Sequence, residues 1–172
     1  MKNLFLLFFV AIWMISCGGD SGATTESTAT AESEATSAPA ETSTISDAAE
    51  VELELLSDDQ MQYNVKELKV RAGQKVTLTL KHTGQMDKQV MGHNFVLLKA
   101  GTDIAEFATA AMTEFENEYI PADESAIIAY TGLVGGGEST SITFDAPEAG
   151  TYDYICSFPG HYGFMQGKFI VE

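Results

Sequence analysis

Val51-Glu-Leu-Glu-Leu55 alternates apolar and acidic positions, so an extended chain there has one oily face and one wet face. Val76-Thr-Leu-Thr-Leu-Lys-His82 alternates in the same way. Val65–Val70, Asn94–Leu98, Ala126–Tyr130, Ser139–Phe144, Thr151–Ile155 and Lys168–Val171 complete a set of about eight short strand candidates, with turn residues between them. Gly135-Gly-Gly137 falls between two of these and reads as a turn. One stretch has a different period. Ile104, Phe107, Ala108, Ala111, Met112 and Phe115 recur at helical spacing, with Asp103, Glu106 and Glu114 off that stripe. This predicts a helix from Asp103 to about Glu116, capped by Thr102 or Asp103, with Met112 and Phe115 in the core. The expected fold is all-β: a two-sheet Greek-key β-sandwich of about eight strands with one inserted α-helix. There is no internal repeat and no Gly-rich phosphate loop.

The pattern stops upstream of residue 51. Residues 1–16 carry Lys2 and then an apolar run from Leu4 to Ile15, too short to span a membrane and followed by small polar residues. They read as an export signal. Met14-Ile-Ser-Cys17-Gly18 resembles the lipobox of bacterial lipoproteins, which implies lipidation of Cys17 as the mature N-terminus. From Gly18 to about Ser46 the chain is Ser, Thr, Ala and Glu with no aromatic and no basic residue. Such a segment cannot bury enough apolar surface to offset the entropy of ordering. Residues 17–50 are therefore read as a lipidated tether spanning roughly 30 Å. Residues 51–172 remain as one domain with its own core.

The candidate chemistry lies near the end of that domain. Cys156-Ser-Phe-Pro-Gly-His161-Tyr-Gly-Phe-Met165 places a thiol, an imidazole and a thioether in one short loop, spaced Cys-x4-His-x3-Met. A second imidazole stands in Val90-Met-Gly-His93-Asn94. The chain has only two Cys, Cys17 and Cys156. With Cys17 lipidated, Cys156 has no partner for a disulfide outside the cytoplasm, and a metal holding it as thiolate is the most economical explanation. Two His, one Cys and a weak Met are the ligand set of a blue-copper electron-transfer site. The third histidine, His82, ends an alternating strand and reads as a partly buried structural residue near the site. Pro159 stiffens the loop, and Gly160 is expected to allow close backbone approach.

These motifs, with Asp59-Gln-Met-Gln-Tyr-Asn64 and Gly135-Gly-Gly-Glu138, resemble azurin and the auracyanins, which are blue copper proteins of the cupredoxin family. The resemblance runs from Val51 to Glu172. It implies one mononuclear type 1 copper held by His93, Cys156 and His161, with Met165 and the Gly92 carbonyl as weak axial contacts. It also implies that Asn94 and Phe158 support the ligands. Met61, Val90, Met91, Pro159, Tyr162 and Phe164 would form an apolar docking patch around His161. Azurins carry a disulfide at the N-terminal end of the sandwich; the matching region near Val51 and Gln74 has no Cys, which puts rigidity there in question.

Charge narrows the partners. The formal net charge is −16 and becomes −17 when Lys2 leaves with the signal. Such a surface disfavours nucleic acid. The expected protein is a one-electron carrier, not an enzyme, cycling Cu(I)/Cu(II) between redox proteins such as c-type cytochromes, copper enzymes or respiratory complexes. It touches a bacterial membrane only through its lipid and faces the periplasm or cell exterior. Copper storage or delivery is the alternative, although Met-rich clusters are absent. A Cys156 nucleophile with His161 as base is a third reading, but no orienting acid or oxyanion site accompanies it.

Overall fold

The computed structural model describes residues 48–172. The expected signal, the Cys17 lipidation site and the tether as far as residue 47 lie outside the described residues. The strands are β1 (Glu50–Ser57), β2 (Glu67–Val70), β3 (Lys75–His82), β4 (Val96–Leu98), β5 (Ile127–Tyr130), β6 (Ser139–Asp145), β7 (Gly150–Ile155) and β8 (Gln166–Val171). One helical turn, α1 (Lys88–Met91), precedes β4, and a helix, α2 (Ile104–Ala111), follows it. One sheet has the order β1-β3-β6 and the other β2-β8-β7-β4-β5. β1 runs parallel to β3, and β2 parallel to β8. The result is the expected two-sheet sandwich.

Period-two patterning puts the apolar face of each strand between the sheets. Leu53, Leu55, Val76, Leu78 and Leu80 from one sheet meet Leu68, Val70, Phe95, Leu97, Tyr154 and Phe169 from the other. Each fully buried leucine contributes about 1.5–3 kcal/mol. β4 does not alternate, because both its faces are covered. Phe95 and Leu97 face the main core, while Val96 and Leu98 join Phe107, Ala111, Ile120, Ile127 and Ile155 in a second cluster on the outer side. Helix α2 supplies that outer cover.

The helix is shorter than its periodicity predicts. Asp103 caps it, its Oδ1 accepting from Ala105 N and Glu106 N at 2.9 and 3.0 Å. It ends at Ala111, and a separate 3-10 turn covers Phe115–Asn117. Met112 and Phe115 are consequently not core: they are 47% and 64% exposed. Their i, i+4 and i, i+7 spacings place a residue on the buried stripe only while the helix continues.

At the end where azurins have a disulfide, a buried amide makes the connection. The Gln74 side chain donates to Ala48 O at 2.5 Å and accepts from Arg71 N at 2.7 Å. Lys75 N donates to Ala49 O at 3.0 Å.

Candidate metal centre

Three chain segments meet at one end of the sandwich. β7 delivers Cys156 to the start of the loop that leads into β8. That loop is folded by its own backbone: His161 N donates to Phe158 O, Met165 N to His161 O, and Cys156 N to Met165 O, at 2.8–3.0 Å. Cys156, His161 and Met165 are thereby held in one tight turn system. Gly160 has φ +83° with open space where a Cβ would point. Its role is the left-handed backbone, not the close approach expected from sequence.

His93 does not belong to a strand. β4 begins only at Val96, and His93 sits before it in an isolated bridge, exchanging backbone bonds with Val134 at 2.9 and 2.8 Å. Gly92 beside it is obligatory: a Cβ there would stand 2.4 Å from Lys88 O and 2.7 Å from the Leu133 side chain. The glycine backbone therefore lies where its carbonyl approaches Cys156 Sγ, at 3.9 Å.

The side chains converge. Cys156 Sγ lies 3.7 Å from His161 Nδ1, and the His93 and His161 ring centroids are 5.2 Å apart. Cys156, His93 and Met165 are fully buried, whereas His161 retains 4% exposure. Among the described residues, no three His, Cys, Asp or Glu side chains stand in a closed ligand shell. Yet both ring nitrogens of His93 are buried without a hydrogen-bond partner, so no such bond opposes turning that ring toward a common centre. Buried polar atoms are normally paired; here a soft metal would satisfy two imidazoles and a thiol together.

Burial sets the protonation. It pushes the Cys156 thiol up to about 12, partly opposed by hydrogen bonds from the Asn94 and Phe158 backbones. It pulls His93 down to about 3 and His161 down to about 4, with neighbouring histidines adding to both shifts. Neutral imidazoles are ready donors, and the thiol needs a cation to deprotonate it.

The surrounding contacts are polar and specific. Asn94 Nδ2 donates to Ser157 Oγ, and Ser157 N donates to Asn94 Oδ1, both at 2.9 Å. The Tyr63 hydroxyl donates to the Asn94 carbonyl. The Phe158 ring lies on His161, with centroids 4.5 Å apart. His82 is fully buried, not partly as expected, with its ring 4.4 Å from that of His93. Neither of its nitrogens makes a hydrogen bond, and Asp59 Oδ1 stands 3.7 Å from Nε2.

The residues of the expected apolar patch differ in exposure. Val90 and Phe164 are each 64% exposed, while Met61, Met91, Pro159 and Tyr162 are half-buried. Met61 packs on the main core and Tyr162 on the outer one. Sequence reasoning missed Ser157, Tyr63, Glu118 and Tyr119, which brace the ligand segments. Ser157 and Tyr63 stand inside recognised motifs, but the partners of all four are set only by folding.

Residues 49–172 match the model for copper binding proteins of the plastocyanin/azurin family. The chain belongs to that family. Azurin-2 of Alcaligenes xylosoxydans xylosoxydans is 42% identical over 123 residues, covering 69% of this chain and 95% of that protein. An azurin of Achromobacter denitrificans is 43% identical over 125 residues, covering 70% and 83%. Among solved structures, auracyanin A, a "blue" copper protein from Chloroflexus aurantiacus, superposes with a TM-score of 0.66 at 40% identity, covering 72% of this chain and 99% of that one. Copper is thus the cofactor, and as a member of this family the protein is an electron carrier, not an enzyme.

Proposed function

We propose that the protein is a lipid-anchored, extracytoplasmic one-electron carrier in which His93, Cys156 and His161 are the strong copper ligands. Met165 and the Gly92 carbonyl would add weaker contacts to the same ion. Bound copper supplies the Cu(I)/Cu(II) couple. The observation that carries the ligand assignment is the buried pair of unpartnered His93 nitrogens beside a thiol 3.7 Å from a second imidazole. The protein's part is to keep both imidazoles neutral, to exclude water and to hold the donors on a stiff frame. Little then moves when the charge at the centre changes.

Electrons pass through the His161 edge, the one residue with any solvent exposure among the four that offer ligand side chains. The partners are redox proteins such as c-type cytochromes, copper enzymes or respiratory complexes, docking briefly on the apolar rim around Val90 and Phe164. Among the described residues no helix is long and apolar enough to cross a membrane; the anchor is the lipid on Cys17, after a signal of residues 1–16.

The visible spectrum of copper-loaded protein tests the centre. A strong thiolate-to-copper band that disappears in Cys156→Ser, with the sandwich still folded, supports the assignment; an unchanged spectrum in that variant refutes it. Membrane fractionation tests the anchor. Cys17→Ala releases the protein or leaves it unprocessed, because acyl chains supply the membrane affinity. Parent and variant in the same soluble pool would remove the lipoprotein assignment.

A further inference from the structure

Among the described residues, three non-glycine residues have positive φ, and two of them are adjacent: Glu118 at 51° and Tyr119 at 63°. Such backbone persists only where its surroundings over-determine it. Their backbone N–H groups turn back to Phe115 O and Glu114 O at 3.3 and 2.9 Å, while their carbonyls and the Glu118 carboxylate reach segments that carry or adjoin a candidate ligand. The Glu118 carbonyl accepts from Asn94 Nδ2 at 3.4 Å, next to His93. The Tyr119 carbonyl accepts from Ser157 Oγ at 2.7 Å, next to Cys156. Glu118 Oε2 accepts from Leu133 N at 2.9 Å, and Oε1 pairs with Lys88 Nζ at 3.3 Å.

Leu133 precedes Val134, the bridge partner of His93, and its side chain lies against Gly92. The Tyr119 ring meets the Phe158 ring edge-on at 5.0 Å, and Phe158 in turn lies on His161. Toward the site, the bonds and ring contacts of Glu118 and Tyr119 go to Asn94, Ser157, Leu133, Lys88 and Phe158, so the pair acts on the candidate ligands through neighbours.

We propose that Glu118 and Tyr119 form a positioning clamp for the copper centre, resting on the ligand assignment above. The clamp does two things. The left-handed turn brings two successive carbonyls onto Asn94 Nδ2 and Ser157 Oγ, which are themselves bonded at 2.9 Å, so one pair of residues braces the junction of the His93 segment and the Cys156 loop. The Tyr119 ring backs Phe158 and so sets the tilt of the His161 imidazole. The Glu118 carboxylate completes the clamp from the far side, holding Leu133 over Gly92. A helix continuing through residue 116, as periodicity predicts, would destroy this geometry; the early end of α2 makes it possible.

The test uses the copper-loaded full chain. Tyr119→Leu removes the ring and keeps the backbone, and Tyr119→Phe keeps the ring. In Tyr119→Leu the thiolate band shifts, and competition with a chelator shows copper held about 10- to 100-fold more weakly, the usual cost of losing a ligand's support. Tyr119→Phe restores both to the parent values. Glu118→Ala gives a smaller shift of the same band and loss of exchange protection at Leu133, read by hydrogen-exchange mass spectrometry. This half-buried site keeps the test open should Tyr119→Leu fail to fold.

A merely structural role would lower the urea midpoint of both variants while leaving band and copper affinity at parent values, and that result overturns the clamp. A parent protein without a thiolate band would overturn the ligand assignment, and the clamp with it. A normal parent band beside unchanged variants overturns the clamp alone.

Discussion

Replacing Asn94 with Ala cuts the direct side-chain link between the His93 segment and the Cys156 loop. Two 2.9 Å bonds to Ser157 are lost, together with a longer one to Glu118 O. Each good bond contributes about 1 kcal/mol net, and a buried donor left without a partner costs about 1–3 kcal/mol. Ser157 is 1% exposed, so water cannot take over its N–H. Its hydroxyl keeps the Tyr119 carbonyl. The sum is about 2–4 kcal/mol of destabilisation, large against the marginal stability of a single domain.

Ser157→Ala keeps the backbone donor to Asn94 Oδ1 but loses the hydroxyl bonds, and should cost about 1–2 kcal/mol. The two residues share a bond, so the double variant should cost less than the sum by about 1 kcal/mol. Urea unfolding of the metal-free chain measures all three, since bound copper would add its own linkage. A cost for Asn94→Ala below about 0.5 kcal/mol, or strict additivity in the double variant, would refute the reasoning.

Two further perturbations follow from the same site. In the metal-free protein the His93 and His161 pKa values lie at about 3 and about 4, below the ordinary 6.5, so the unfolded chain binds protons first on acidification. Stability present above pH 6.5 should fall towards pH 5 by at most roughly 2 kcal/mol per imidazole, and urea midpoints that stay level between pH 7 and 5 would exclude this. Met165→Leu should leave copper bound and coloured but raise the reduction potential, because losing a weak donor disfavours Cu(II) more than Cu(I). A potential that stays put or falls in voltammetry would rule Met165 out as an axial ligand.

The strands were legible because a half-buried strand writes its environment into the chain residue by residue: Leu53 and Leu55, or Val76, Leu78 and Leu80, alternate with polar positions whatever the rest of the molecule does. The loop bearing Cys156, His161 and Met165 was legible for a similar reason. Its thiol, imidazole and thioether are close in sequence, and their chemistry is rare in combination. The same local logic failed at Met112 and Phe115. Their spacing obeys the helical period, but the helix stops at Ala111, and nothing in the local sequence marks that end.

Position in space was decided by tertiary structure alone. His93 reaches Cys156 across more than sixty residues because its bridge to Val134 and the β4–β7 pairing set it there. His82 is fully buried beside Asp59, whose Oδ2 also takes the Gln85 amide at 2.8 Å. The left-handed turn at Glu118 and Tyr119 has no sequence signature, since neither residue favours it. Four partners from three distant segments hold it, and such contacts exist only once the chain has folded.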